Sequence, residues 1–261
     1  MRLALISLSL WLSCAGVAMP CSATPKHISV KDTGAVVPPV VSGYILEQKS
    51  QIYGGGIIFK ICKSGFAWSI PANGVTVMAA APAWRVYVYN AQTKRYFETS
   101  LDKYEGYMLR ASIIFWGFSF PRIPYEEKPS QILAGHKCRI FDMKKISKDE
   151  KLKLGIDTLR DSRLITVKDL DVAPQVAVFV RKQLNFPVLG DLPVSMCVER
   201  KDKEQQFMLK TKKVTPVKIK LSDFVLPAGA KRALNDKEVL RGAAEESSLD
   251  GLLRDIDRKE F

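Results

Sequence analysis

Residues with chemical potential are few in this chain. Only two histidines occur, His27 and His136, and His136 precedes Cys138 by two positions. On a strand, that spacing puts both side chains on one face, where a metal ion or a nucleophile and its base could meet. Nothing nearby completes either arrangement. Zinc sites draw their ligands in close pairs, and no such spacing joins Cys62, Cys138 and Cys197. A Gly-x-Ser-x-Gly elbow, which exposes a nucleophilic serine, is missing as well. The three glycines at 54–56 lack the Lys-Ser/Thr and the helix that a phosphate cradle needs, so they mark a turn. His136 is read as a solvated strand histidine. No catalytic residue, metal or cofactor is expected, and the chain reads as a non-enzyme.

What remains is apolar surface, concentrated in residues 74–99, GVTVMAAAPAWRVYVYNAQTKRYFET. This stretch reads as a strand, a proline break and a tight hairpin turning at Asn90 to Thr93. From Trp84 to Tyr89, Trp84, Val86 and Val88 fall on one face and Arg85, Tyr87 and Tyr89 on the other. Both faces carry large groups, so the sheet must cover both or offer one to a ligand. Val75, Val77, Trp84, Val86 and Val88 are candidate lining residues of an apolar cavity, and Arg85 is a candidate charged contact. Phe115 and Trp116 join them from the apolar run ASIIFWGFSF at 111–120, which Gly117, Pro121 and Pro124 keep from being one long element. That run is either a core strand or short helix, or a mobile apolar flap over a cavity.

The elements that would position these residues are mostly short strands. Ile57 to Cys62, Phe66 to Ile70 and Val75 to Ala81 are separated by Ser64-Gly65 and Pro71-Ala72-Asn73-Gly74, an antiparallel meander without intervening helices. Gln131 to Met143 reads as two strand pieces around Ala134-Gly135, and residues 144–163 as a charged, solvated excursion. Asp171 to Leu184 is the clearest internal helix. Asp171 can cap it, Pro174 suits its first turn, and Val176, Phe179, Val180 and Leu184 form its apolar stripe. Pro193 to Glu199, Gln206 to Thr211 and Val214 to Leu221 read as three further strands. On the last, Val217, Ile219 and Leu221 alternate with Lys218 and Lys220.

The chain has 261 residues, 47% of them hydrophobic, with 40 Lys and Arg against 27 Asp and Glu for a net charge of +13. It is long enough to bury a core without staples, and its charge suits an anionic lipid surface, nucleic acid or acidic envelope polymers. Arg2 followed by the apolar run 3–18, Pro20 and small residues at 21–24 has the layout of a secretory signal. Residues 1–23 are therefore read as a signal peptide, with cleavage after Ala23 or Ala18, and the protein as periplasmic or secreted. No second segment could span a bilayer. Lipidation at Cys14 or Cys21 is the weaker reading, because neither Trp11-Leu12-Ser13 before Cys14 nor Ala18-Met19-Pro20 before Cys21 follows the order leucine, small, small that lipid attachment favours; Cys14 is the better candidate of the two. Removal of the signal leaves Cys62, Cys138 and Cys197, open to one pair plus a free thiol or to three buried thiols. Residues 24–43 read as an extended lead-in, and 231–261 as a near-neutral charged tail. Leu249, Leu252, Leu253 and Ile256 in that tail predict a short amphipathic helix.

Several stretches together resemble the LolA-like superfamily of secreted envelope proteins: GVTVMAAAPAWRVYVYNAQTKRYFE, AGHKCRIF, a late helix, PVSMCVER and SDFVLPAG. The similarity spans roughly residues 44 to 230, with Phe224-Val225-Leu226-Pro227-Ala228-Gly229 its sharpest local match. The resemblance implies a mainly β (α+β) fold, a strongly curved antiparallel sheet forming a half-barrel with one or a few covering helices around an apolar cavity. Arg85 lies on the right kind of strand for the carriers' cavity arginine but does not match it position for position. The resemblance implies an exported, non-catalytic envelope protein that binds an apolar ligand: an acyl chain, lipid or lipoprotein. The alternative is a periplasmic interaction or sensor module using the same fold to hold an envelope protein partner. No nucleic-acid partner is expected, since the lysines are dispersed and no reading helix or aromatic platform accompanies them.

Overall fold

Alternating runs interrupted by turn formers build the observed strands. The computed structural model describes residues 39–106, 119–133, 135–201 and 205–244, with side chains to 240. Strands β1 (Val40–Ser50), β2 (Gly55–Cys62), β3 (Gly65–Ile70), β4 (Val75–Ala80), β5 (Arg85–Asn90) and β6 (Arg95–Ser100) form one antiparallel meander. A second contains β7 (Tyr125–Leu133), β8 (His136–Met143), β9 (Leu159–Val167), β10 (Leu192–Arg200) and β11 (Gln206–Lys220). Pairing of β1 with β11 joins the two, and the two-residue β12 (Lys231–Arg232) adds to β6 in parallel. Across the sheet the order is β12-β6-β5-β4-β3-β2-β1-β11-β10-β9-β8-β7. The end strands β12 and β7 do not pair with each other, so the sheet is curved and open, a mainly β half-barrel.

Local chemistry explains the turns. Pro71–Asn73 makes a single 3-10 turn closed by Gly74, whose φ of 64° is open to glycine at little cost. The Asn90 side chain accepts from the backbone of Gln92 (2.8 Å), an Asx turn that starts the β5–β6 hairpin. Trp84 departs from the sequence expectation. It stands in the turn before β5 with a φ of 48°, its N–H bonded to Ala80 O, so strand alternation begins only at Arg85. The two strands expected at 206–211 and 214–221 are one 15-residue strand, because β10 pairs with its start and β1 with the rest.

Three α-helices accompany the sheet among the described residues: α1 (Lys148–Leu154), α2 (Pro174–Leu184) and α3 (Asp236–Ala244). Helix α1 lies within the expected solvated excursion and buries nothing. Ser147 caps it and Gly155 ends it. Helix α2 starts with Pro174 at N1, but its N-cap is Ala173 without a side-chain bond, while Asp171 pairs instead with Lys63 at 2.8 Å. Its expected stripe is the buried face, since Val176, Phe179, Val180 and Leu184 are at most 1% exposed. The packed body also continues past Ala230, where Ala233 and Val239 join the main core and Asn90 donates to Val239 O. The apolar positions of the expected terminal helix, 249–256, lie outside the described residues, as do the signal segment, Cys14 and Cys21.

Candidate functional site

Register across the first meander aligns the concave side chains in rows. Leu46, Phe59, Trp68, Val77, Val88 and Phe97 face one another strand by strand from β1 to β6. A neighbouring row runs Tyr44, Ile61, Phe66, Ala79. Helix α2 lies on this wall through Phe179, whose ring stacks on Phe66 at 4.2 Å between centroids. Trp68, Phe59 and Tyr104 stand 5.9, 6.0 and 5.8 Å from it.

The structure gathers Val75, Val77, Val86 and Val88 on this face, all at most 2% exposed within the main core. Trp84 reaches the same core from its turn by stacking on Phe66 at 6.4 Å. Phe115 and Trp116 lie outside the described residues. Arg85 points the other way, is half-exposed and pairs with Glu98, which Arg232 also approaches. Sequence reading missed Phe59, Phe66 and Trp68 as members of the wall. Their alternation along β2 and β3 was the available signal, and only the register unites them with Phe179.

Polar groups on the concave side cluster near the C-terminal end of α2. Gln183 is 1% exposed; its amide donates to Tyr53 OH (2.5 Å) and its carbonyl oxygen accepts from Tyr104 OH. Burial pushes the Tyr53 phenol well above its ordinary range, the bond to Gln183 opposing only in part. Along β1, Leu46 is followed on the same face by Gln48 and Ser50, at 3% and 4% exposure. Gln48 donates to Thr211 Oγ1 (2.8 Å), and Thr211 in turn donates to Val194 O (2.6 Å). Gln48 Oε1, Ser50 Oγ and Trp68 Nε1 have no partner among the described residues; a buried group left unsatisfied costs about 1–3 kcal/mol. The buried polar side chains among the described residues are Gln48, Ser50, Asn90, Ser162, Thr166 and Gln183, all uncharged.

The convex face has its own cover. Cys62, Ala67, Met78, Ile219 and Phe224 form a second buried cluster, with Tyr87, Tyr89 and Val217 packed against it. Phe224 sits directly over Gly65, where an added Cβ would come within 2.6 Å of its ring, and Lys60 clamps Asp223 at 2.8 Å. Beside this cover lies a cleft of about 270 Å³ lined by Ala80, Ala83, Arg85, Tyr87, Phe224, Val225 and Leu226. A smaller cleft of about 170 Å³, beside β9 and β10, is polar and well partnered. Arg163 grips Asp142 at 2.6 and 2.9 Å, Ser162 donates to Cys197 O, and Gln205 covers the Cys197 thiol at 3.3 Å.

His136 does not act with Cys138. Its Nδ1 lies 3.2 Å from Asp169 and its ring meets Tyr44 edge-on, whereas Cys138 is buried in the core. Cys62, Cys138 and Cys197 are three separate, buried thiols, and burial pushes each of them up, opposite to the shift that makes a nucleophile. Among the described residues no group of three or more His, Cys, Asp or Glu could hold a metal ion. No helix there is long and apolar enough to cross a membrane.

No family model matches the chain, and no curated protein matches it in sequence. Among solved structures it is similar to an uncharacterized conserved protein from Thermus thermophilus, at 6% identity and a TM-score of 0.33, over 73% of this chain and 89% of that one. It is also similar to a domain named as an outer membrane lipoprotein-sorting protein from Vibrio parahaemolyticus, at 9% identity and a TM-score of 0.22, over 77% of this chain and 90% of that one. Both overlaps are loose, so the half-barrel assignment rests on the strand order and register of this chain itself.

Proposed function

We propose that this is a non-catalytic, exported binding protein of the cell envelope, which takes an apolar chain from a lipid or lipoprotein between its sheet and helix α2. One observation carries the reading: an open sheet whose concave rows are aliphatic and aromatic is covered on that side by α2, with Phe179 as the principal knob. An acyl chain replacing that knob would meet the same surface. No reacting group is needed, since apolar burial alone contributes about 0.8 kcal/mol per CH₂. The signal-like N-terminus and the charge of +13 suit an envelope setting.

The test is purification followed by mass spectrometry of organic extracts, with titration of an apolar dye. The expected result is co-purifying lipid and a fluorescence gain that Trp84→Ala weakens and Tyr87→Ala leaves intact, because Trp84 stacks inward on Phe66 and Tyr87 lies on the convex face. Absence of both lipid and dye uptake would refute it. A second reading, an interaction module, draws on the convex cleft, where Val225 is 60% exposed beside Arg85. Removing residues 245–261, and not the buried Val239, separates the two. A carrier keeps its dye; a tail-dependent module loses its partner.

A further inference from the structure

The concave wall carries polar groups that the folded chain does not use. Gln48 and Ser50 follow Leu46 at successive inward positions of β1, both are more than nine-tenths buried, and Gln48 Oε1 and Ser50 Oγ have no hydrogen-bond partner. Thr211 occupies only the amide nitrogen of Gln48. Two strands away, in the row that Leu46 heads, Trp68 Nε1 is a third unpartnered group. Buried polar groups in folded proteins are almost always paired, so three on one wall mark a place where a further molecule can supply partners.

The chemistry of that molecule follows from what the wall offers. Gln48 Oε1 only accepts, Trp68 Nε1 only donates, and Ser50 Oγ does either. The matching group therefore carries both a donor and an acceptor. It is also uncharged, because no Lys, Arg, His, Asp or Glu is buried among the described residues and an ionised head would be desolvated without a counter-charge. Resting on the apolar-ligand reading above, we propose that Gln48 and Ser50 bind the neutral head of the ligand, an acyl amide or hydroxylated acyl ester. Trp68 Nε1 is the donor left for a carbonyl oxygen of the same ligand. Chains ending in a free carboxylate or a phosphate are selected against at this wall.

The experiment uses the full chain loaded with a neutral apolar dye, displaced by three probes with one twelve-carbon chain: glycerol monolaurate, lauramide and laurate. The two neutral probes are expected to displace the dye at least tenfold more effectively than laurate at pH 8. Gln48→Leu and Ser50→Ala should each weaken the neutral probes about three- to tenfold, the loss expected for one hydrogen bond, while leaving laurate unchanged. Equal displacement by neutral and anionic heads on the unmodified chain would overturn the head-group assignment and leave the apolar-ligand reading standing. That comparison needs no variant to fold. Variants that leave the neutral-to-anionic ratio intact would also overturn it, as would a buried water that already satisfies the wall. A dye that never binds overturns the apolar-ligand reading and this assignment with it.

Discussion

Replacing Phe179 by alanine removes the side chain through which α2 is keyed to the sheet. Its ring is fully buried and lies within 4.2 to 6.0 Å, centroid to centroid, of Phe66, Tyr104, Trp68 and Phe59. Truncating a buried Phe costs about 3–5 kcal/mol through lost transfer energy and the cavity left behind. Four aromatic neighbours place this site at the upper end, since such pairs contribute about 0.5–1.5 kcal/mol each beyond their area. A loss of about 4–5 kcal/mol is expected. With a urea m-value of about 2 kcal/mol/M, that lowers the unfolding midpoint by about 2 M. Urea titration followed by tryptophan fluorescence reads the change, with the exposed-site variant Val225→Ala as a control that stays within about 0.5 kcal/mol. The vacated space should also admit a benzene-sized apolar solute. A midpoint shift below about 0.5 M at unchanged m would refute the packing described, because it would mean the ring is not held between helix and sheet.

Two other perturbations follow from local geometry. Gly65→Ala should lower the thermal midpoint sharply, because the new Cβ would lie 2.6 Å from Phe224 and 2.8 Å from Ala79 O; a midpoint within a degree of the parent would show that the Leu221–Phe224 cover is loosely seated. Lys49 stands opposite Lys210 in the β1–β11 ladder, and proximity to Lys49 lowers the pKa of Lys212. A lysine whose folded pKa lies below its unfolded one destabilises while charged in both states, and stability rises as pH climbs from the lowered value toward the ordinary one. Lys49→Gln should therefore raise the thermal midpoint at neutral pH and low salt, with the gain shrinking near 1 M salt as repulsion is screened. A gain independent of salt would rule out charge as the cause.

Much of the scaffold could be read from the chain because its signals are local. The meander from Ile57 to Ala80 is written in alternation and turn residues, and the α2 stripe in its spacing. The inward set Val86 and Val88 and the outward set Tyr87 and Tyr89 also follow from period two. Trp84 reads as a strand residue because it stands two positions before Val86 in an alternating run; its backbone is a left-handed turn, yet its ring still ends on the inner side. Non-local pairing was not legible. Nothing near residue 40 announces that β1 pairs with residues 210–220, and that pairing fuses two apparent strands into β11. The face of Val217 and Ile219 was equally hidden: they lie on the convex side under Phe224, away from the candidate cavity. The site itself was half visible, since a register spanning β1 to β6 brings Phe59 and Trp68 into the row of Val77 and Val88.

Both apolar faces are covered, and the two covers differ in what lies beneath them. Under Phe224 the convex face is tight against Gly65 and clamped by the Lys60–Asp223 pair. On the concave side, Gln48 Oε1, Ser50 Oγ and, beside Phe179, Trp68 Nε1 have no partner among the described residues, so on the proposed reading this is where a ligand has most to replace. Displacing Phe179 sets a threshold for doing so. At about 0.8 kcal/mol per CH₂, roughly six methylenes offset the 4–5 kcal/mol that the ring contributes. Each further methylene then tightens binding about fourfold. A homologous series of neutral acyl probes should therefore show no binding below about six carbons and a steady fourfold gain per carbon above that length. Dye displacement across chains of four to sixteen carbons gives both the threshold and the slope. Affinity that ignores chain length would mean the probe sits at the surface cleft, and the concave wall would then be a closed core.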